Sequence, residues 1–472
     1  TFCVTAIGNN ALSNNTVWNN TAVGASSLQS NTTGASNTAV GNAALKLNTT
    51  GANNTALGLS ALCSNTTGTG NVGLGQSALQ YNVSGSYNVG VGDLALQLNT
   101  ASDNVAIGRA ALNANSTGCR NVAIGRSTLS TNSTGDHNTA VGRQAMLLNT
   151  TGGQNVAIGT VALFNNTTGN CNVAIGNVAL GCNTTSSANT AIGYYAGLYG
   201  TGGSNTVIGE SAYQGVLNST TGNANVAIGA CSLRCALNAS CNVAIGVNAA
   251  ACVTTASNLV AIGYCTLRTA TNPALTTAIG AYSLQSATGG ENTTLGYATL
   301  CSATTAAGNV AIGRSALASN VAGNYNVAIG RLALSGITTG YNVAIGNESA
   351  SATTSGYGIV AIGSNSLRYN TTGVVNTAIG CNALQQNTTG SDNVALGHCA
   401  LQNNTTHSYN VAIGREALQS NQSNSNIAIG YGAGKCTTTG GLNVFIAGGS
   451  ANTTGAANTA VGYQALRCNT TA

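Results

Sequence analysis

The sequence predicts an all-β fold: a parallel β-solenoid (β-roll) of about 28 rungs, each about 17 residues long with two short strands. Three observations predict it. A glycine closing Ala-Ile-Gly, Ala-Val-Gly or a close variant recurs 28 times from Gly8 to Gly462, at intervals of 16 or 17 almost throughout. The residues before that glycine are β-branched residues and alanine, and those after it run into clusters of Asn, Thr and Gly. No linker or shift in composition interrupts the series, so residues 1–472 read as one continuous repeat domain.

The repeat unit is Asn-(Val/Thr)-Ala-(Ile/Val)-Gly-x-x-Ala-Leu-x-x-Asn-Thr-Thr-Gly-x-x, and residues 121–137 are a good copy. A unit this short cannot hold a helix pair, whereas Val, Ile and Thr favour strands. One strand is expected over Asn-Val-Ala-Ile-Gly and a second around Ala-Leu, with Asn-Thr-Thr-Gly as the turn to the next rung. Stacked at ~4.8 Å, such rungs would extend about 130 Å. Irregular rungs are marked by intervals of 20 (Gly209 to Gly229), 18 (Gly430 to Gly448) and 14 (Gly448 to Gly462).

Strand alternation puts Val122 and Ile124 on one side and Ala123 and Gly125 on the other. Neither side is polar, and a strand apolar on both faces is usually covered on both. One face is expected to fill the coil with the leucine, Leu129 here. The other, paved with Ala and Gly, would admit a second copy of the chain at close approach, or else lie bare as a thin small-residue face. The asparagine that opens each strand (Asn104, Asn121, Asn138, Asn155, Asn172) is expected to form a structural ladder along the stack.

Composition narrows the function. Charged residues are 4% of the chain, against about 25% in an ordinary soluble domain. Few groups remain for acid–base chemistry, so no enzyme, catalytic residue, metal or cofactor is expected. A net charge of +5 over 472 residues is too weak a field for nucleic acid. No apolar run approaches the ~18 residues of a membrane span. With 43% apolar residues recurring regularly, disorder is disfavoured.

At Asn242-Val243-Ala244-Ile245-Gly246 and its copies the chain resembles the head repeats of YadA-like trimeric autotransporter adhesins. The Asn-Thr-Ala-(Ile/Val)-Gly and Asn-Thr-Thr-Gly arrays are also similar to shaft repeats of phage and virus fibres. The resemblance spans the whole chain. It implies a β-roll, a trimer of left-handed coils and binding to host-surface molecules. The repeat here is longer than that of those heads, the extra residues falling in the Asn-Thr-Thr-Gly turn, and nothing resembles their neck, stalk or membrane anchor.

Three residue types supply candidate sites. Asn-Thr-Thr and its variants match the acceptor pattern for N-linked sugar at Asn31, Asn48, Asn65, Asn82, Asn115, Asn132, Asn149, Asn166, Asn183, Asn370, Asn387, Asn404, Asn452 and Asn469. Glycans on one edge would keep a charge-poor secreted chain in solution; turn chemistry alone also explains the motif. Fifteen cysteines point to an oxidising compartment, with Cys235–Cys252 on adjacent rungs and Cys235–Cys241 across a turn as competing disulfides. Arg109, Arg126 and Arg143 follow their glycines on consecutive rungs and form a candidate ligand or partner strip, in a column shared with Tyr194, Tyr264, Tyr297, Tyr431 and Tyr463.

Other motifs lead nowhere. Gly432-Ala433-Gly434-Lys435-Cys436 lacks the Walker spacing, because Ile429 stands where a glycine is needed. His137, His398 and His407 have no clustered carboxylate, and His398 beside Cys399 is isolated. The threonines are adjacent and in a turn, unlike the Thr-x-Thr array of an ice-binding face.

Continuing from Ala472 into Thr1 would place the next glycine 18 residues on, close to one period. The expected reading is therefore a structural protein of an extracellular fibre or surface filament, with copies stacked head to tail and packed side by side, or a segment of a longer array. The alternative is an adhesin head or a virus tail fibre binding a host-surface glycan or protein.

Overall fold

The computed structural model describes residues 3–216, 220–448, 452–467 and 470. It is a parallel β-solenoid with 28 strands, numbered β1 to β28 in chain order, and no helix among the described residues. The chain forms two compact units. Residues 1–241 carry β1 (Val4–Ile7) to β14 (Val226–Ile228), and residues 242–472 carry β15 (Val243–Ile245) to β28 (Thr459–Val461). Within each unit the strands pair parallel and in register with the next rung, as in Val105↔Val122, Ala106↔Ala123 and Ile107↔Ile124.

Each rung has one strand, not two. The Ala-Leu segment was expected to be extended, but its backbone turns instead: Ser127 has φ 55° and Leu129 has φ 50°. It still bonds rung to rung, with Ser127 N donating to Arg109 O at 2.9 Å and Leu129 N to Ala145 O at 3.1 Å. A left-handed residue costs about 1–2 kcal/mol. Full burial of a leucine, worth about 1.5–3 kcal/mol, offsets this.

The marker glycine starts this turn. Gly125 has φ 133°, and a Cβ there would lie 2.6 Å from Gly142 O on the next rung, so backbone conformation and close approach both demand glycine. One rung breaks the pattern read from the sequence. Strand register (Ile446↔Val461) and the bond from Ala447 N to Ile429 O put Ala447, not Gly448, in the marker position.

The two sides of the strand are reversed from expectation. Ala123 is buried and points into the coil, while Val122 is half-buried and Ile124 is exposed on the outside. The coil is narrow there: a Cβ built on Gly73, in the alanine column, already lies 3.3 Å from Leu62 Cδ1, and the branched residues of that column, Val207 and Thr294, are the exceptions. The interior is therefore Ala, Leu and Asn.

Two large residues occupy this narrow space by local exchange. Phe445 replaces alanine in β27 (Val444–Ile446), and Gly434 replaces the leucine facing it; a Cβ on Gly434 would be 2.6 Å from Phe445 Cδ2. Tyr213 replaces a leucine in the rung that opens the 20-residue interval. Pro273, the only proline, lies outside the strands.

Candidate functional site

In a regular coil two asparagines converge on one carbonyl. Asn121 Nδ2 and Asn132 Nδ2 donate to Gly135 O, at 2.8 and 2.9 Å. Both also join columns along the stack. Asn121 Oδ1 accepts from Asn138 N at 2.9 Å, so the strand-opening asparagines do form a ladder. Asn132 Nδ2 donates to Asn115 Oδ1 at 2.8 Å, and Asn149 Nδ2 to Asn132 Oδ1 at 2.7 Å. This second ladder is the column assigned to sugar.

That assignment needs correction. Asn31, Asn48, Asn65, Asn82, Asn115, Asn132, Asn149, Asn166, Asn183, Asn370, Asn387, Asn404 and Asn452 all have fully buried side chains. The nitrogen that would carry a sugar points into the coil and is committed to internal hydrogen bonds, so the folded rung has no room for a glycan on it. Asn469 lies outside the described residues. The sequence signal missed was the constant offset of three residues to a glycine, which places the amide beside that carbonyl. The ladder breaks after Asn183, whose buried Oδ1 has no partner; Ala236, Val253, Ala270 and Ala287 fill its column in later rungs, and it resumes where Asn387 Nδ2 donates to Asn370 Oδ1 at 2.8 Å.

The turn hydroxyls divide by position. The first is engaged with the next rung, as in Thr49 Oγ1 to Thr66 O at 3.0 Å. The second, as in Thr50 and Thr134, is exposed.

Arg109, Arg126 and Arg143 do share one exposed column. Arg109 Nε is 3.7 Å from Asp93 Oδ2, while Arg126 and Arg143 have no ion pair among the described residues. At Arg331 and Arg415, further along the column, charge is neutralised locally: Glu348 bridges Arg331 and Arg368, and Glu416 bridges Arg415 and Lys435. The bond from Lys435 draws the Glu416 carboxyl below its ordinary range and raises the Lys435 ammonium. Lys435 is thereby engaged, and Ala433 is buried, so the Gly432–Cys436 segment forms no phosphate cradle.

The cysteines form no disulfide among the described residues. Cys235 and Cys241 are half-buried and exposed thiols of the first unit, and Cys252 belongs to the second. His398 Nε2 is 3.7 Å from Cys399 Sγ. Burial lowers the pKa of His407. No group of three or more His, Cys, Asp or Glu able to hold a metal occurs among the described residues.

Two outward surfaces remain. One is the Val/Ile side of the strands, where Ile107, Ile124 and Ile158 in the first unit and Ile427, Ile429 and Ile446 in the second are exposed. The other is a run of tyrosines: Tyr264 and Tyr282 have ring centroids 5.4 Å apart, and Tyr282 and Tyr297 5.9 Å, both edge to face. No helix among the described residues is long and apolar enough to cross a membrane. No protein-family model matches the chain, and no curated protein matches it.

Proposed function

We propose that this chain is a structural protein of an extracellular fibre or surface filament, assembled from copies of itself. The observation that carries the reading is the outward Val/Ile face of the strands. Isolated exposed apolar residues are ordinary, but a continuous face of them calls for a cover. Fourteen strands at ~4.8 Å and ~10 Å of strand width give roughly 650 Å² per unit, so two apposed copies would bury about 1,300 Å², the size of a specific interface. A second copy is the occupant favoured because it alone presents the same ridges at the same rung spacing, as in a steric zipper. The lateral surface is thus the branched side of the strand, in place of the Ala/Gly side. End-to-end continuation rests on the equivalence of rungs: each offers the next the same parallel edge.

An adhesive role is the second reading. The exposed Tyr264 and Tyr297 rings, with the half-buried Tyr282 between them, are a surface on which sugar rings can stack.

Negative-stain microscopy and light scattering at rising concentration test the first reading. Filaments or lateral bundles are expected, lost when Ile107, Ile124 and Ile158 are changed together to Lys. A chain that stays monomeric at every concentration overturns it. Glycan-array binding abolished by Tyr282→Ala, without filaments, supports the second.

A further inference from the structure

We propose that Cys381 and Cys399 are a redox-responsive pair that closes a disulfide between adjacent rungs of the second unit when exposed to a disulfide oxidant such as glutathione disulfide. Cys381 directly follows Gly380, and Cys399 is the second residue after Gly397. The backbone ties them together: Cys399 N donates to Cys381 O at 3.0 Å. With one rung of rise and one residue of offset, their Cα atoms are roughly 6 Å apart, inside the range a disulfide spans.

Side chains in these two columns meet elsewhere in the same stack. Glu348 N donates to Arg331 O at 2.8 Å, and the two side chains form an ion pair. Tyr282 N donates to Tyr264 O at 3.0 Å, and the rings are in contact at 5.4 Å. The Cys381–Cys399 pair has the same backbone relationship with shorter side chains. Burial, then the nearby charges of Cys381 and Glu416, hold the Cys399 thiol above its ordinary pKa, against opposing effects of Asn382 and Arg415.

Exposure divides the roles. Cys381 is exposed and Cys399 is buried, with His398 Nε2 at 3.7 Å from its sulfur. The Cys381 thiolate attacks one sulfur of glutathione disulfide, forming a mixed disulfide and releasing one glutathione thiolate. Cys399 passes its proton to His398 and attacks the Cys381 sulfur. The mixed bond breaks, and the second glutathione leaves as a thiolate that takes up the proton. Two protein thiols are oxidised and one glutathione disulfide is reduced to two thiols.

The test is incubation of the full chain with glutathione disulfide, alkylation, and peptide mapping without reduction. A linked Cys381–Cys399 peptide is expected. Cys399→Ser should trap glutathione on Cys381, and Cys381→Ser should leave Cys399 reduced. His398→Ala should slow closure without slowing the first step. Glutathione persisting on Cys381 in the unaltered chain, or either cysteine linked elsewhere, overturns the proposal. The unaltered chain alone decides it, should a variant fail to fold.

Discussion

The hydroxyl of Tyr213 donates to Gly222 O at 2.9 Å. Gly222 stands three residues before Asn225, as Gly135 stands before Asn138, so its carbonyl is the one that two asparagines cap in a regular rung. In this longer rung the phenol takes the place of an amide.

Burial pushes the Tyr213 pKa up from 10.0 to about 12, against the opposing bonds to Asn225 and Gly222. Because the folded value is the higher one, the contribution is fully present below pH 10.0 and is lost as pH rises towards about 12. Ultraviolet titration should show one of the 16 tyrosines ionising late, near 12. Tyr213→Phe should remove that step and lower stability by about 1–3 kcal/mol through the lost bond to the Gly222 carbonyl. A titration without a late tyrosine would sink this assignment.

Asn132→Ala should be costly although it removes a turn residue. It strands Asn115 Oδ1 and takes a donor from Gly135 O and an acceptor from Asn149 Nδ2. A loss of about 2–4 kcal/mol in urea unfolding is expected. The same burial predicts that N-glycosidase leaves the mass of the folded chain, made in a glycosylating host, unchanged; a mass loss traced to Asn132 would contradict the ladder.

Gly125→Ala should prevent normal stacking, since its Cβ meets Gly142 O at 2.6 Å in a backbone region alanine avoids. The adjacent exposed Arg126→Ala should change stability by no more than about 0.5 kcal/mol. Denaturant midpoints for the two variants make the comparison, and equal midpoints would refute it.

Gly434 and Phe445 should be coupled. Gly434→Leu overfills the site and Phe445→Ala empties it, while the double variant restores the ordinary Leu and Ala of other rungs. A double-mutant cycle should give an interaction energy of about 1–3 kcal/mol, the double variant being more stable than either single one. Simple additivity would disprove the exchange.

Glu416 and Lys435 define a pH window. The carboxyl is lowered, so its contribution is present above the unfolded carboxyl range and lost as pH falls through the folded value. The ammonium is raised, so its contribution is present below the unfolded ammonium range and lost as pH rises through the folded value. Lys435→Gln should remove the acid-side change at Glu416 seen by carboxyl NMR; an unmoved Glu416 titration would count against the pairing.

The repeat and its glycines were legible because backbone constraints recur at a fixed interval. Gly125 is required by its own φ and by Gly142 above it, and among the described rungs only the one with Ala447 in the marker position departs from it. The strand-opening ladder at Asn121 was legible for the same reason. The Ala-Leu segment was misread as a second strand because alternation alone does not reveal the left-handed φ of Ser127 and Leu129. The Asn132 column was misread because a glycosylation motif and a buried amide clip share the letters Asn-Thr-Thr-Gly.

By itself the sequence determined the rung length, the parallel register and the scarcity of charge, since these follow from local spacing and composition. Only the tertiary structure decided which side of the strand faces inward. Both sides are apolar, so hydrophobicity does not choose between them. The width of the coil does: Leu62 approaches the Gly73 column at 3.3 Å, which favours alanine and leaves most of the valines and isoleucines on the outer side, Val207 being buried in the alanine column as an exception.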